Sequence, residues 1–136
     1  MLVVGGTRFL GHELAWRLLA AGHVVTRFNR GTLPDAFGDR VERLRGDRTT
    51  ADLERLLAGR SFGWAVDFAA FDGVDGRRAA EVLGGRVGHY VVISTGQVYL
   101  VREGCPRPAR ESDYDGPVMS EPSVPYVRGL WVFGLR

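Results

Sequence analysis

Along residues 1–95 two periodicities take turns. Leu2-Val3-Val4 is a short apolar run that stops at Gly5-Gly6, the pattern of a buried strand entering a turn. Leu10, Leu14 and Leu18, with Leu19 beside them, then recur at helical spacing and predict a helix with that leucine row as its buried face, ended by Gly22. His23 to Phe28 reads as a second strand and Gly31 to Gly38 as a loop. Val41-Glu42-Arg43-Leu44 alternates as a half-buried third strand does. Thr49 or Thr50 is placed to cap a helix carrying Leu53, Leu56 and Leu57. Trp64 to Phe68 predicts a fourth strand and Gly76 to Leu83 a third helix. Tyr90-Val91-Val92-Ile93 predicts a fifth strand buried on both faces.

Strand and helix alternating at this spacing define an α/β protein with a doubly wound parallel sheet of about five strands, the Rossmann type. The pattern fills residues 1–100. After Tyr99 its character changes: five of the six prolines fall between Pro106 and Pro125, among charged and small polar residues. Residues 101–136 therefore read as a proline-rich loop followed by an unassigned apolar tail from Tyr126.

A chain of 136 residues fits one such domain, and 45% hydrophobic with 25% charged residues is ordinary for a globular protein. The 18 basic residues are all arginine. They are dispersed among 16 acids, giving a net charge of +2 and no basic stripe, which makes nucleic acid an unfavoured partner. Cys105 stands alone, and His12, His23 and His89 lie far apart, so no metal site is expected. No apolar run approaches the ~18 residues of a membrane span, nor is there a signal-peptide pattern, and the expected location is the cytoplasm.

The chemistry-bearing feature is Gly5-Gly6-Thr7-Arg8-Phe9-Leu10-Gly11, set between the first strand and the first helix. A glycine turn at that junction lets backbone approach a pyrophosphate whose charge sits at the helix N-terminus. Arg8 stands where the middle glycine of the usual fingerprint falls. In helical backbone its Cβ is tolerated and its guanidinium can reach a phosphate; in direct pyrophosphate contact it weakens binding.

With Gly22-His23 and Asn29-Arg30-Gly31 following in order, this segment resembles the NAD-dependent epimerase/dehydratase family of extended and atypical short-chain dehydrogenases/reductases. The Gly-Gly-Thr-Arg-Phe form is similar to its atypical branch, which includes chloroplast stem-loop RNA-binding proteins. The resemblance covers residues 1 to about 120 and implies a dinucleotide cofactor bound at Gly5, Thr7, Arg8, Phe9, Leu10 and Gly11. The family's acidic ribose-binding position is held by Asn29 and Arg30. Arg30, with Arg8, can pair with a 2′-phosphate, so NADP is favoured over NAD. The resemblance places Asp47 beside the adenine, with Arg48 next to it, though Asp47 can equally be a turn residue. Phe68, Ala69 and Ala70 match the small-residue stretch along the cofactor. Thr95, in Ser94-Thr95-Gly96-Gln97-Val98-Tyr99, matches the hydroxyl that holds the substrate oxygen.

Catalysis in this family needs a tyrosine with a lysine four residues on, because a phenol of pKa about 10 requires a neighbouring cation to act as a base at neutral pH. Four residues after Tyr90, Tyr99, Tyr114 and Tyr126 stand Ser94, Glu103, Val118 and Leu130, and the sequence contains no lysine. The resemblance thus implies a member truncated before the C-terminal substrate region and inactive alone, from a family acting on nucleotide sugars or similar substrates. Its fifth strand, left at an edge, predicts self-association. Two alternatives stand beside this: a non-catalytic NADP or RNA binder related to the stem-loop proteins, and a fragment with no ligand.

Overall fold

The computed structural model describes residues 1–94, 104, 106–110 and 112–113. Five parallel strands, β1 (Leu2–Val4), β2 (Val25–Asn29), β3 (Val41–Arg45), β4 (Phe62–Asp67) and β5 (Val87–Val92), form one sheet in the order β3-β2-β1-β4-β5. Helix α1 (Phe9–Ala20) joins β1 to β2, α2 (Asp52–Leu57) joins β3 to β4, and α3 (Gly73–Leu83) joins β4 to β5. The expected Rossmann-type architecture is present. Among the described residues no helix is long and apolar enough to cross a membrane.

Each face of the sheet has its own core. Leu2, Val4, Phe28, Leu44 and Ala65 face Leu53 and Leu57 of α2 and Ala79, Val82 and Leu83 of α3. Val3, Val25 and Val41 face Ala15 of α1, with Phe37 from the β2–β3 connection filling the remaining space. That connection contains only a short 3-10 turn, Gly38–Arg40, where a crossover helix commonly lies, and the fully buried Phe37 substitutes for a helical face.

Two expectations are corrected. The fully buried residues of α1 are Gly11 and Ala15; of the leucine row, Leu18 and Leu19 pack half-buried against this core, but Leu10 is 70% exposed. The cause is close packing: α1 starts against the glycine turn, where only small side chains fit. Nor is β5 buried on both faces: none of its residues is fully buried, and Val91 is 37% exposed. It is an edge strand of the described sheet, and α1 packs over β1 and β2 instead.

The helix starts also follow side-chain chemistry. α3 begins at Gly73, three residues before the expected start, because the Asp72 carboxylate accepts from the backbone N–H groups of Val74 (2.9 Å) and Asp75 (2.8 Å). Before α2, the Thr50 hydroxyl accepts from the Asp52 N–H at 3.2 Å, close to the expected cap.

Candidate functional site

β1 lies where the strand order reverses, and the loops leaving β1 and β4 diverge there to opposite faces. Such a switch point opens a crevice beyond the carboxyl ends of the strands. Here it holds a cavity of about 690 Å³, lined by Gly5, Gly6, Thr7 and Arg8 after β1, and by Asn29 and Arg30 after β2. Asp47, Arg48 and Thr49 after β3, and Phe68, Ala69 and Phe71 after β4, complete the wall.

The turn after β1 is built by backbone contact. A Cβ on Gly11 would come within 2.2 Å of the Gly6 Cα, so helix and turn touch main chain to main chain. Gly5 and Gly6 have φ of +74° and +65°, the left-handed region that glycine enters without strain. Arg8, by contrast, is extended (φ −128°, ψ 165°), so the absence of a glycine there costs the backbone nothing. Phe9 takes φ +47° with its side chain exposed, an unusual conformation for a side-chain-bearing residue. No side chain caps α1, and its leading N–H groups follow directly on Thr7 and Arg8 of the cavity wall with no acidic side chain in that turn.

Beneath the cavity floor are two buried ion-pair networks that sequence reasoning missed. Arg27 in β2 is fully buried; its guanidinium donates to Asp35 at 2.9 Å and to the Gly6 carbonyl at 3.2 Å, propping the glycine turn from below. Arg43 donates to the same carboxylate at 2.6 Å. The hydrogen bond from Arg43 holds the Asp35 carboxyl below the usual carboxylate range, reinforced by the Phe37 N–H and the charges of both arginines against the opposing effect of burial. Asp67, fully buried at the end of β4, accepts from Arg48 at 2.8 and 3.0 Å, from the Tyr90 hydroxyl at 2.8 Å and from the Ala69 N–H at 2.8 Å. Burial first, then the Asp67 charge, pushes the Tyr90 phenol well above its ordinary pKa. A charge inside an apolar strand, as at Arg27 and Asp67, is the signal that a buried partner must exist, but spacing does not identify that partner.

The structure sorts the expected site residues. Gly5, Thr7, Arg8, Asn29, Arg30, Asp47, Arg48, Phe68 and Ala69 line the one cavity. Gly11 is buried beneath the turn, Phe9 and Leu10 stand exposed at the helix start, and Ala70 is outside the lining. The Arg48 guanidinium is turned toward Asp67, with Asp75 3.4 Å away. The Asp47 carboxylate accepts from the Thr49 N–H (2.9 Å) and hydroxyl (2.7 Å), a turn role that still leaves it at the cavity wall. Thr95 lies outside the described residues, as do Tyr99, Tyr114 and Tyr126.

Comparison with known proteins agrees with this geometry. No family model matches the chain. Among curated proteins it is 31% identical over 119 residues to the chloroplast stem-loop binding protein of 41 kDa b of Arabidopsis thaliana, an alignment that takes in 74% of this chain and 30% of that one. A short-chain dehydrogenase/reductase superfamily protein from Agrobacterium tumefaciens, solved with bound NAD, superposes with a TM-score of 0.73 at 21% identity, over 97% of this chain and 42% of that one. The dTDP-glucose 4,6-dehydratase of Bacillus anthracis, in complex with NAD, gives 0.68 at 20% identity, over 94% and 46%. MoeE5, in complex with UDP-glucose and NAD, gives 0.69 at 23%, over 97% and 46%. The chain therefore spans less than half the length of these relatives. Its fold is the one these short-chain dehydrogenase/reductase and dehydratase structures share, matched over part of their length.

Proposed function

We propose that this chain is the NAD(P)-binding domain of an epimerase/dehydratase-like protein, with NADP preferred. The observation that carries the reading is the uncapped start of α1 behind a glycine turn, opening on a cavity at the switch point of the sheet. That cradle fits a pyrophosphate: it offers backbone N–H groups, a helix N-terminus and no acid in the first helical turn. The adjoining cavity has the size of small-molecule sites in general. Gly5, Thr7, Arg8 and the first turn of α1 would hold the pyrophosphate, with Gly11 allowing the close helix approach. Asn29 and Arg30 would face the adenosine ribose, Asp47 the adenine, and Phe68 and Ala69 the body of the cofactor. NADP is favoured because the end of β2 offers an amide and a guanidinium where a carboxylate would bind the ribose hydroxyls.

The sequence supplies no lysine to lower a tyrosine pKa, so the proposed role of this chain alone is binding without turnover. A nucleotide sugar is the substrate class proposed for the whole protein, by likeness to relatives such as MoeE5. The exposed Trp64 of β4, Val91 of the edge strand β5 and Ile93 just after it support self-association, which light scattering would read as a mass above the monomer.

Titration of NADPH and NADH, followed by cofactor fluorescence, tests the reading. Saturable binding with NADPH tighter is expected; absence of binding for both at millimolar concentration would overturn it. The likeness to a stem-loop binding protein favours one second reading, an RNA binder. RNA affinity that falls steeply with salt, together with no dinucleotide binding, would select it.

A further inference from the structure

Of the arginines among the described residues, Arg17 pairs with Glu13, Arg27 and Arg43 with Asp35, Arg48 with Asp67, Arg55 with Asp52, Arg60 with Glu42 and Arg78 with Glu54. Arg8, Arg30 and Arg45 have no ion-pair partner among the described residues, and all three lie at the carboxyl end of the sheet. Arg30 lies near an acid: the Thr49 N–H and hydroxyl hold the Asp47 carboxyl low, and the Arg30 charge adds a smaller contribution. Arg45, the last residue of β3, is exposed and lies beside Asn29 of β2 in the strand register.

Arg45 borders a second, smaller cavity of about 240 Å³, an annex that shares Asn29, Gly31 and Leu33 with the main one. Its seat is defined. A Cβ on Gly31 would meet the Cδ, Nε and Cγ of Arg45 at 3.0, 3.1 and 3.3 Å, so the arginine stem crosses the glycine in contact with its backbone. Any larger residue at position 31 would displace it, and Gly31, at φ +69°, also has the backbone conformation glycine favours.

The annex is positive despite the carboxylate in its wall. Asp35 is matched by Arg27 at 2.9 Å and Arg43 at 2.6 Å, and the Asp39 charge also acts on Arg43, so Arg45 supplies the excess positive charge of the annex. A small compartment of this sign, opening off the β2 side of the main cavity, suits a compact dianion carried on the ligand.

We propose that this annex is a phosphomonoester subsite and that Arg45, reaching in from β3, is the residue that discriminates a 2′-phosphorylated from an unphosphorylated adenosine ribose. The assignment rests on the dinucleotide reading above and shifts the discriminating cation from Arg30, which does not line the annex, to Arg45, which does. Gly31 acts as the seat that positions it.

The test is equilibrium binding of NADPH and NADH to the whole chain, as wild type and as Arg45→Ala and Arg30→Ala. Competition by adenosine 2′,5′-bisphosphate and by adenosine 5′-monophosphate isolates the adenosine end. Arg45→Ala is expected to weaken NADPH and the bisphosphate about tenfold or more, the scale of a lost charge-assisted hydrogen bond. NADH and the monophosphate should stay within about twofold, and Arg30→Ala should have the smaller effect on the NADPH-to-NADH ratio. Arg45 makes no hydrogen bond or ion pair among the described residues, so its removal should leave thermal unfolding unchanged. Equal binding of NADPH and NADH by the wild type overturns the annex alone. So does a loss on Arg45→Ala that is the same for both cofactors, absent, or surpassed by that of Arg30→Ala. Failure of the wild type to bind any of the four ligands overturns the dinucleotide reading, and the annex with it.

Discussion

The buried charges at Arg27 and Asp67 set the residue-scale energetics. A carboxylate at the end of a central strand is tolerated because Arg48, Tyr90 and the Ala69 N–H together satisfy it. Asp67→Ala would leave the Arg48 guanidinium buried with only Asp75 nearby, and the expected loss is about 3 kcal/mol, read by urea unfolding. A loss below about 1 kcal/mol would mean that water replaces the carboxylate. Tyr90 gives a pH signature of its own. Folding raises its pKa, so its contribution is complete below the unfolded value of about 10 and is lost as pH rises through the higher folded value. Unfolding free energy measured at pH 9 and 11 should fall more for the wild type than for Tyr90→Phe; identical falls would deny the linkage. None of these pairings was legible from spacing, since Arg48 and Asp67 stand 19 residues apart and meet only once β3 and β4 are docked.

At the level of elements, the five strands and three helices were legible because apolar runs closed by turn residues leave few other readings. What misled was the assumption that the leucine row of α1 is buried along its whole length: Leu18 and Leu19 do pack on the core, but Leu10 does not. Against a glycine turn, distance of approach decides, so Gly11 and Ala15 go inward while Leu10 is left in solvent. The start of α3 was misplaced for a different reason: Asp72 is an N-cap, and its carboxylate determines where the first turn begins. Asp72→Ala should cost about 1 kcal/mol and increase hydrogen exchange at Val74 and Asp75 selectively. Uniform exchange across α3 would show that packing alone holds this end. Most of the cavity wall was legible too, because strand-to-loop junctions at the carboxyl ends of a parallel sheet converge on one place. Thr32, Leu33 and Phe71 also line it without having been singled out, since nothing in a loop sequence indicates how the loop folds back.

For the whole molecule, the β2–β3 connection matters most. Lacking a helix, it depends on Phe37 and on the Arg27–Asp35–Arg43 network to close one face of the sheet. Folding depresses the Asp35 pKa, so its contribution is complete above the unfolded value of about 4 and disappears as pH falls through the lower folded value. Denaturation midpoints collected from pH 6 to 2 should drop steeply for the wild type at the acid end. Asp35→Asn should start lower and decline less; parallel curves would place the acid sensitivity elsewhere.

The contact between Gly6 and Gly11 also bears on how freely this stretch can vary. The two positions share one space, with helix and turn meeting there at main-chain distance, so neither can gain a methyl group unless its partner retreats, and neither has room to do so. Between them, Arg8 projects outward from ordinary extended backbone. Saturation mutagenesis scored only for folded protein should therefore give a jagged profile across residues 5–11: near-complete intolerance at both glycines and broad permissiveness at the arginine. Scored for cofactor retention instead, the same library should close the gap at Arg8 and leave the glycines unchanged, separating what this turn owes to its fold from what it owes to its ligand.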